Sequence, residues 1–85
     1  MWDGWELMAK AFVFVNAVTG AEREVLKSLR KVPEVKEAYL AYGVYDIVAR
    51  VETDSMDRLK EVITREVRVL DGIRSTLTTI VMEGK

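Results

Sequence analysis

Alternation and helical spacing divide the chain into six segments. "KAFVFVNAV" (Lys10 to Val18) is rich in β-branched and aromatic residues and too short for a core helix, so it predicts a buried strand. Thr19 stands three positions before Glu22, the spacing of a capping box, and predicts a helix start there. Val25, Leu26, Leu29 and Val32 then form one apolar stripe, Arg23, Lys27, Arg30 and Lys31 lie largely off it, and Pro33 ends the helix. "VKEAYLAY" (Val35 to Tyr42) and "DIVARVET" (Asp46 to Thr53) are strands joined around Gly43, which makes a hairpin whose glycine is expected to take a positive φ. Asp54 is the expected N-cap of a second helix running through "SMDRLKEVITREVRVL". Its inward stripe is Met56, Leu59, Val62, Ile63 and Val67, and Glu61 with Arg65 makes an i,i+4 pair. Asp71 and Gly72 break it, and "IRSTLTTIVME" (Ile73 to Glu83) is a last strand.

The order βαββαβ predicts an α+β, ferredoxin-like fold, with one four-stranded antiparallel sheet and both helices on a single face. Side chains alternate along a strand, so Phe12 and Phe14 point one way while Ala11, Val13, Val15 and Ala17 point the other. Both sets are apolar. Ile47, Ala49 and Val51 opposite Val48, and Leu77 and Val81 opposite Ile80 and Met82, repeat the pattern. A small monomer cannot bury two apolar sheet faces, so the reading predicts an oligomer formed by sheet-to-sheet stacking, with Phe12, Val13, Phe14 and Val15 as the expected interface residues. The alternative cover is the leader, residues 1–9, with Trp2, Trp5, Leu7 and Met8 folded back over that face.

Composition narrows the chemistry. The 85 residues make one domain with no cysteine and no histidine, which removes disulfides, the usual zinc and copper ligands and histidine acid-base catalysis. The formal charge is −1, with both signs interspersed along the two helical stretches, so direct nucleic-acid binding is not expected. No apolar run reaches the length of a membrane span and "MWDGWELMAK" does not read as a secretory signal, so a cytosolic protein is expected. The wealth of Glu, Lys, Arg and Val leans toward a thermophile.

The hairpin is the candidate site. Tyr42, Gly43, Tyr45 and Asp46 are more than turn geometry asks for, although Gly43 and Asp46 also suit a plain turn. Other ferredoxin-like functions lack their residues. "DIVARV" has no aromatic for base stacking, "VTGAE" has no paired cysteines for a heavy metal, and Thr19-Gly20 is too little for an acylphosphatase-like anion cradle. No nucleophile stands beside a base, so the reading predicts no enzyme, no cofactor and no metal.

The stretch from Leu29 to Glu83 resembles the effector-binding (RAM) domain of the Lrp/AsnC regulators; the resemblance covers residues 10–83, and residues 10–85 are taken as the domain. The shared pattern is Pro33-x-Val35, the Gly43-x-x-Asp46 hairpin, the spaced apolar second helix, Gly72-Ile73, and Thr76-x-Thr78-x-Ile80-Val81. The resemblance implies a dimeric α+β barrel, rings of dimers, and an amino acid or related small metabolite held between dimers. It implies that Gly43 lets the backbone approach a zwitterion and that Asp46 can pair with its ammonium group, with Thr76 and Thr78 as weaker candidates for contacts. Only nine residues precede the first strand, so a stand-alone form lacking the helix-turn-helix is expected, acting on transcription through a full-length paralogue. Tyr42 replaces the small threonine common in the family and is expected to narrow or fill the pocket. Two other readings stay open: a structural assembly module whose pocket is closed by Tyr42 and Tyr45, and an ACT-like regulatory subunit of a biosynthetic enzyme.

Overall fold

The computed structural model describes residues 8–82. Strand β1 (Ala9–Ala17) leads to helix α1 (Glu22–Arg30), strands β2 (Val35–Leu40) and β3 (Ile47–Thr53), helix α2 (Met56–Val62), which runs on as a π-helical turn over Ile63–Val67, and strand β4 (Ile73–Val81). The sheet order is β2-β3-β1-β4 with every pair antiparallel, which is the ferredoxin-like arrangement expected. Of the residues expected to fold back over the open sheet face, Trp2, Trp5 and Leu7 lie outside the described residues and Met8 is exposed.

The two faces of β1 have different fates. Ala9, Ala11, Val13, Val15 and Ala17 are buried, beneath helices whose own stripes are Val25, Leu26 and Leu29 on α1 and Leu59, Val62, Ile63 and Val67 on α2 and its π-turn. Small alanines and valines let the helices sit close to the sheet, and the bulkier Phe12 and Phe14 fall on the uncovered face. The core contains one buried polar residue among those described, Thr53, whose hydroxyl donates to the Ser55 carbonyl (2.6 Å).

Local signals moved by a residue or two. The reciprocal capping box is not formed: α1 starts at Glu22, and the Glu22 carboxylate accepts from the Gly20 N–H (3.1 Å), with Gly20 at φ +92. Ser55 rather than Asp54 caps α2, its Oγ accepting from the Arg58 N–H (3.1 Å). Met56 is 38 % exposed and lies off the inward stripe. Gly43 has no positive φ, and a Cβ there would meet nothing within 4 Å. The conformational demand falls on Gly72 instead, at φ +89, where a Cβ would stand 2.9 Å from Val25 Cγ2 and 3.2 Å from Ala21 Cβ.

Charges on the helices are also less evenly mixed than the sequence suggests. On α2, Arg58 meets Glu34 (2.9 Å), Glu61 (2.8 Å) and Glu66 (3.2 Å), and Arg65 meets Glu61 (3.9 Å). The outer side of α1 instead shows exposed Arg23, Lys27, Arg30 and Lys31 against Glu24. Interspersion therefore describes α2 and not α1.

Candidate functional site

Because directly paired residues share a face, the register maps the uncovered side of the sheet row by row. One row crosses all four strands as Tyr39, Val48, Phe14 and Leu77, and is apolar throughout. The next is Glu37, Arg50, Phe12 and Thr79, and the third contains Glu52, Lys10 and Val81. The uncovered face is thus an apolar band bordered by charge. Arg50 bonds Glu37 (3.3 Å) and pairs with Glu52, and its guanidinium holds the Glu37 carboxyl below the usual carboxylate range. Of the four expected interface residues, Phe12 and Phe14 occupy this face. Val13 and Val15 do not: both are fully buried beneath the helices, so they have no surface to offer a partner.

The hairpin stands at the end of the sheet where β3 begins. Its loop is closed by the Ala41 N–H donating to the Asp46 carbonyl (2.7 Å), and Asp46 extends β3 by donating its own N–H to the Val15 carbonyl (3.0 Å). Asp46 Oδ2 accepts from the Ala17 N–H (3.0 Å). Oδ1 makes no hydrogen bond among the described residues. A carboxylate fixed by one oxygen has a set direction for the other, which suits a cationic guest. Tyr45 turns onto the uncovered face, its ring 5.7 Å from that of Phe14 at 47°. Tyr42 at the tip is fully exposed and Val44 is 84 % exposed, so neither closes a pocket within the protomer.

Thr76 and Thr78 pair with Val15 and Val13 and therefore lie on the helix-covered side of the sheet, half-buried on the edge strand β4. Tyr45 is on the opposite face. One protomer holds Tyr45 and Asp46 at the hairpin root, and it does not bring Thr76 or Thr78 to the face that carries Tyr45.

The sequence reading missed the Glu34–Arg58 contact. The Arg58 guanidinium holds Glu34 below the usual carboxylate range, against its partial burial, and Glu34 Oε1 is buried with no partner of its own. This cluster joins α2 to the start of β2. The π-turn explains its third member: one α-turn of 3.6 residues plus one π-turn of about 4.4 brings position i+8, Glu66, directly over Arg58. Among the described residues no group of three or more His, Cys, Asp or Glu could hold a metal ion, and no helix is long and apolar enough to cross a membrane.

Comparison with known proteins places this geometry. The model of the Lrp/AsnC ligand binding domain matches residues 10–84. An HTH-type transcriptional regulator of Pyrococcus abyssi (strain GE5 / Orsay) is 33 % identical over 82 residues, covering 96 % of this chain and 51 % of that protein. The crystal structure of FFRP-DM1 superposes with a TM-score of 0.83 at 42 % identity, covering 87 % of this chain and 99 % of that one. Escherichia coli AsnC superposes with a TM-score of 0.82 at 30 % identity, covering 89 % of this chain and 52 % of that one. The chain spans about half the length of the curated relatives it matches.

Proposed function

Because the chain belongs to the Lrp/AsnC ligand-binding domain family, a regulatory domain of transcription regulators and not an enzyme, we propose that it is a cytoplasmic sensor of an amino acid or closely related metabolite. It assembles through its uncovered sheet face and acts on transcription through a partner regulator.

Asp46 is the observation that supports the sensing half. Its Oδ2 is held by the Ala17 N–H (3.0 Å), so Oδ1 has a fixed direction and no partner among the described residues. An α-ammonium group would supply the missing donor as a charge-assisted bond. The nearby N–H groups of Gly43 and Val44, also without a hydrogen bond among the described residues, suit the α-carboxylate of the same zwitterion. Thr76 and Thr78 contribute only if a neighbouring protomer brings their face of β4 to the hairpin, which matches a ligand held between subunits.

The apolar row Tyr39, Val48, Phe14 and Leu77 supports the assembly half. A contiguous exposed band of this kind on a small domain marks an interface. A second copy suits it, because a two-fold contact sets the same row against itself. The competing reading, an assembly module with no ligand, draws on the exposed Tyr42, which in an assembly is free to enter a neighbour's site in place of a metabolite.

The two readings part on Asp46→Asn, which keeps an oxygen for the Ala17 N–H and removes the charge. Sensing predicts that an amino acid raises the melting temperature of the wild type and not of the variant, while the variant alone melts like the wild type. Assembly alone predicts no amino-acid response from either.

A further inference from the structure

The outer side of α1 is built differently from the rest of the charged surface. Arg50, Arg58 and Arg65 are held in ion pairs with glutamates. Arg23, Lys27 and Lys31 have none among the described residues. They sit at i, i+4 and i+8, which places them in one line about 12 Å long at 1.5 Å per residue. Arg30 stands beside that line, with its guanidinium also bonded to the Ala38 carbonyl (2.9 Å). Of the helix's carboxylates, Glu22 accepts from the Gly20 N–H at the helix start and Glu24 is exposed, so four cations stand against two anions. The stripe lies on the helix side of the sheet, away from the band proposed to meet a second copy, so dimerisation leaves it open.

We infer that this stripe is a sequence-independent contact for the phosphate backbone of duplex DNA, used when the assembly is already held near DNA by a partner regulator. The inference rests on the transcriptional reading above, and charge complementarity chooses the occupant. A DNA strand offers one charge about every 3.4 Å of helix axis, so three cations spread over about 12 Å meet anions in any register. An acidic protein would have to match their spacing. The curated relatives are HTH-type transcriptional regulators, which makes DNA the polyanion such an assembly encounters. The chain's net charge of −1 does not cancel the stripe, because at about 0.1 M salt charges more than about 10 Å away are largely screened. Three contacts bind weakly alone. Tethering to a DNA-bound partner raises their effective concentration to the millimolar range. The stripe reads no bases, since phosphate contacts position a protein and carry no sequence information.

The test is fluorescence anisotropy with a labelled duplex of arbitrary sequence across a salt series. With three phosphates neutralised, log affinity should fall with log salt at a slope of about −2.7, roughly 500-fold over a tenfold salt increase. The triple variant Arg23→Gln, Lys27→Gln, Lys31→Gln should lose binding and the slope. Lys60→Gln, Arg65→Gln, Arg68→Gln, which removes the same charge from exposed positions on and just beyond α2, should keep both. No binding by the wild type at low salt overturns the inference, and so does an equal loss in the α2 triple. A poly-glutamate peptide of matched charge binding as tightly as the duplex also overturns it, in favour of an acidic protein partner. The stripe triple should still melt and respond to amino acids as the wild type does, so a failed DNA contact is told apart from a failed sensor.

Discussion

Placing a carboxylate at Phe14 should take the proposed dimer apart while the protomer stays folded. Phe14 is the central residue of the apolar row, flanked by Val48 on β3 and Leu77 on β4. Phe14→Glu costs the protomer its contact with Tyr45, about 1 kcal/mol beyond lost area, and leaves the helix-covered core untouched. In a stacked dimer the new charge is removed from water with no partner aimed at it, a penalty of several kcal/mol. Taking about 3 kcal/mol for each carboxylate, a two-fold dimer contains two, and about 6 kcal/mol weakens association by roughly four orders of magnitude. Sedimentation equilibrium over a range of micromolar concentrations should therefore move from a dimer or larger to a monomer, with far-ultraviolet circular dichroism unchanged. Leu77→Glu serves as the second variant, since Leu77 is 49 % exposed and its loss barely disturbs the protomer. If both variants keep the wild-type mass, the uncovered face is not the interface and the assembly argument fails.

Two further outcomes follow from local geometry. Gly72→Ala combines about 1–2 kcal/mol for a left-handed backbone with about 1–3 kcal/mol of crowding against Val25 and Ala21, and should lower the melting temperature by ten degrees or more, whereas Gly43→Ala should leave it within a few degrees of wild type; equal effects would show that the glycine roles are misassigned. The Arg58 guanidinium holds the Glu34 carboxyl below its ordinary 4.5, so its contribution is present above about pH 4.5 and is lost as the pH falls through the folded value. Arg58→Met should flatten that part of the acid dependence of the melting temperature, and an acid profile parallel to wild type would contradict it.

The element order and the helix stripes were legible because period and alternation alone decide them. Leu59, Val62, Ile63 and Val67 are buried as the spacing predicts. Which side of β1 the helices cover was not legible, because both sets are apolar and alternation separates them without ranking them. Side-chain size decides it: valine and alanine go beneath the helices, phenylalanine to the open side. The roles of the glycines were inverted because a hairpin suggests a positive φ at Gly43. The six-residue closure from Ala41 to Asp46 is wide enough to turn without one, while Gly72 is squeezed by Val25 of a distant element. Arg58 was out of reach for a similar reason. Glu34 is far away in sequence, and Glu66 comes into register only through a π-turn that no spacing rule anticipates. Tyr45 and Asp46 are adjacent in the sequence, but their separation from Thr76 and Thr78 by the thickness of the sheet depends on register.

Thermal melting of wild type and Asp46→Asn against each of the common amino acids tests the sensing claim most directly. A true effector at about 100 times its Kd stabilises the native state by about 2.7 kcal/mol, which for a domain of this size is a rise of roughly ten degrees or more. The account predicts such a rise for at least one amino acid in the wild type and a flat response in Asp46→Asn, whose unliganded melting temperature matches wild type because the Ala17 N–H keeps its acceptor. A wild type indifferent to every amino acid, or a variant that responds as strongly as the wild type, would contradict it.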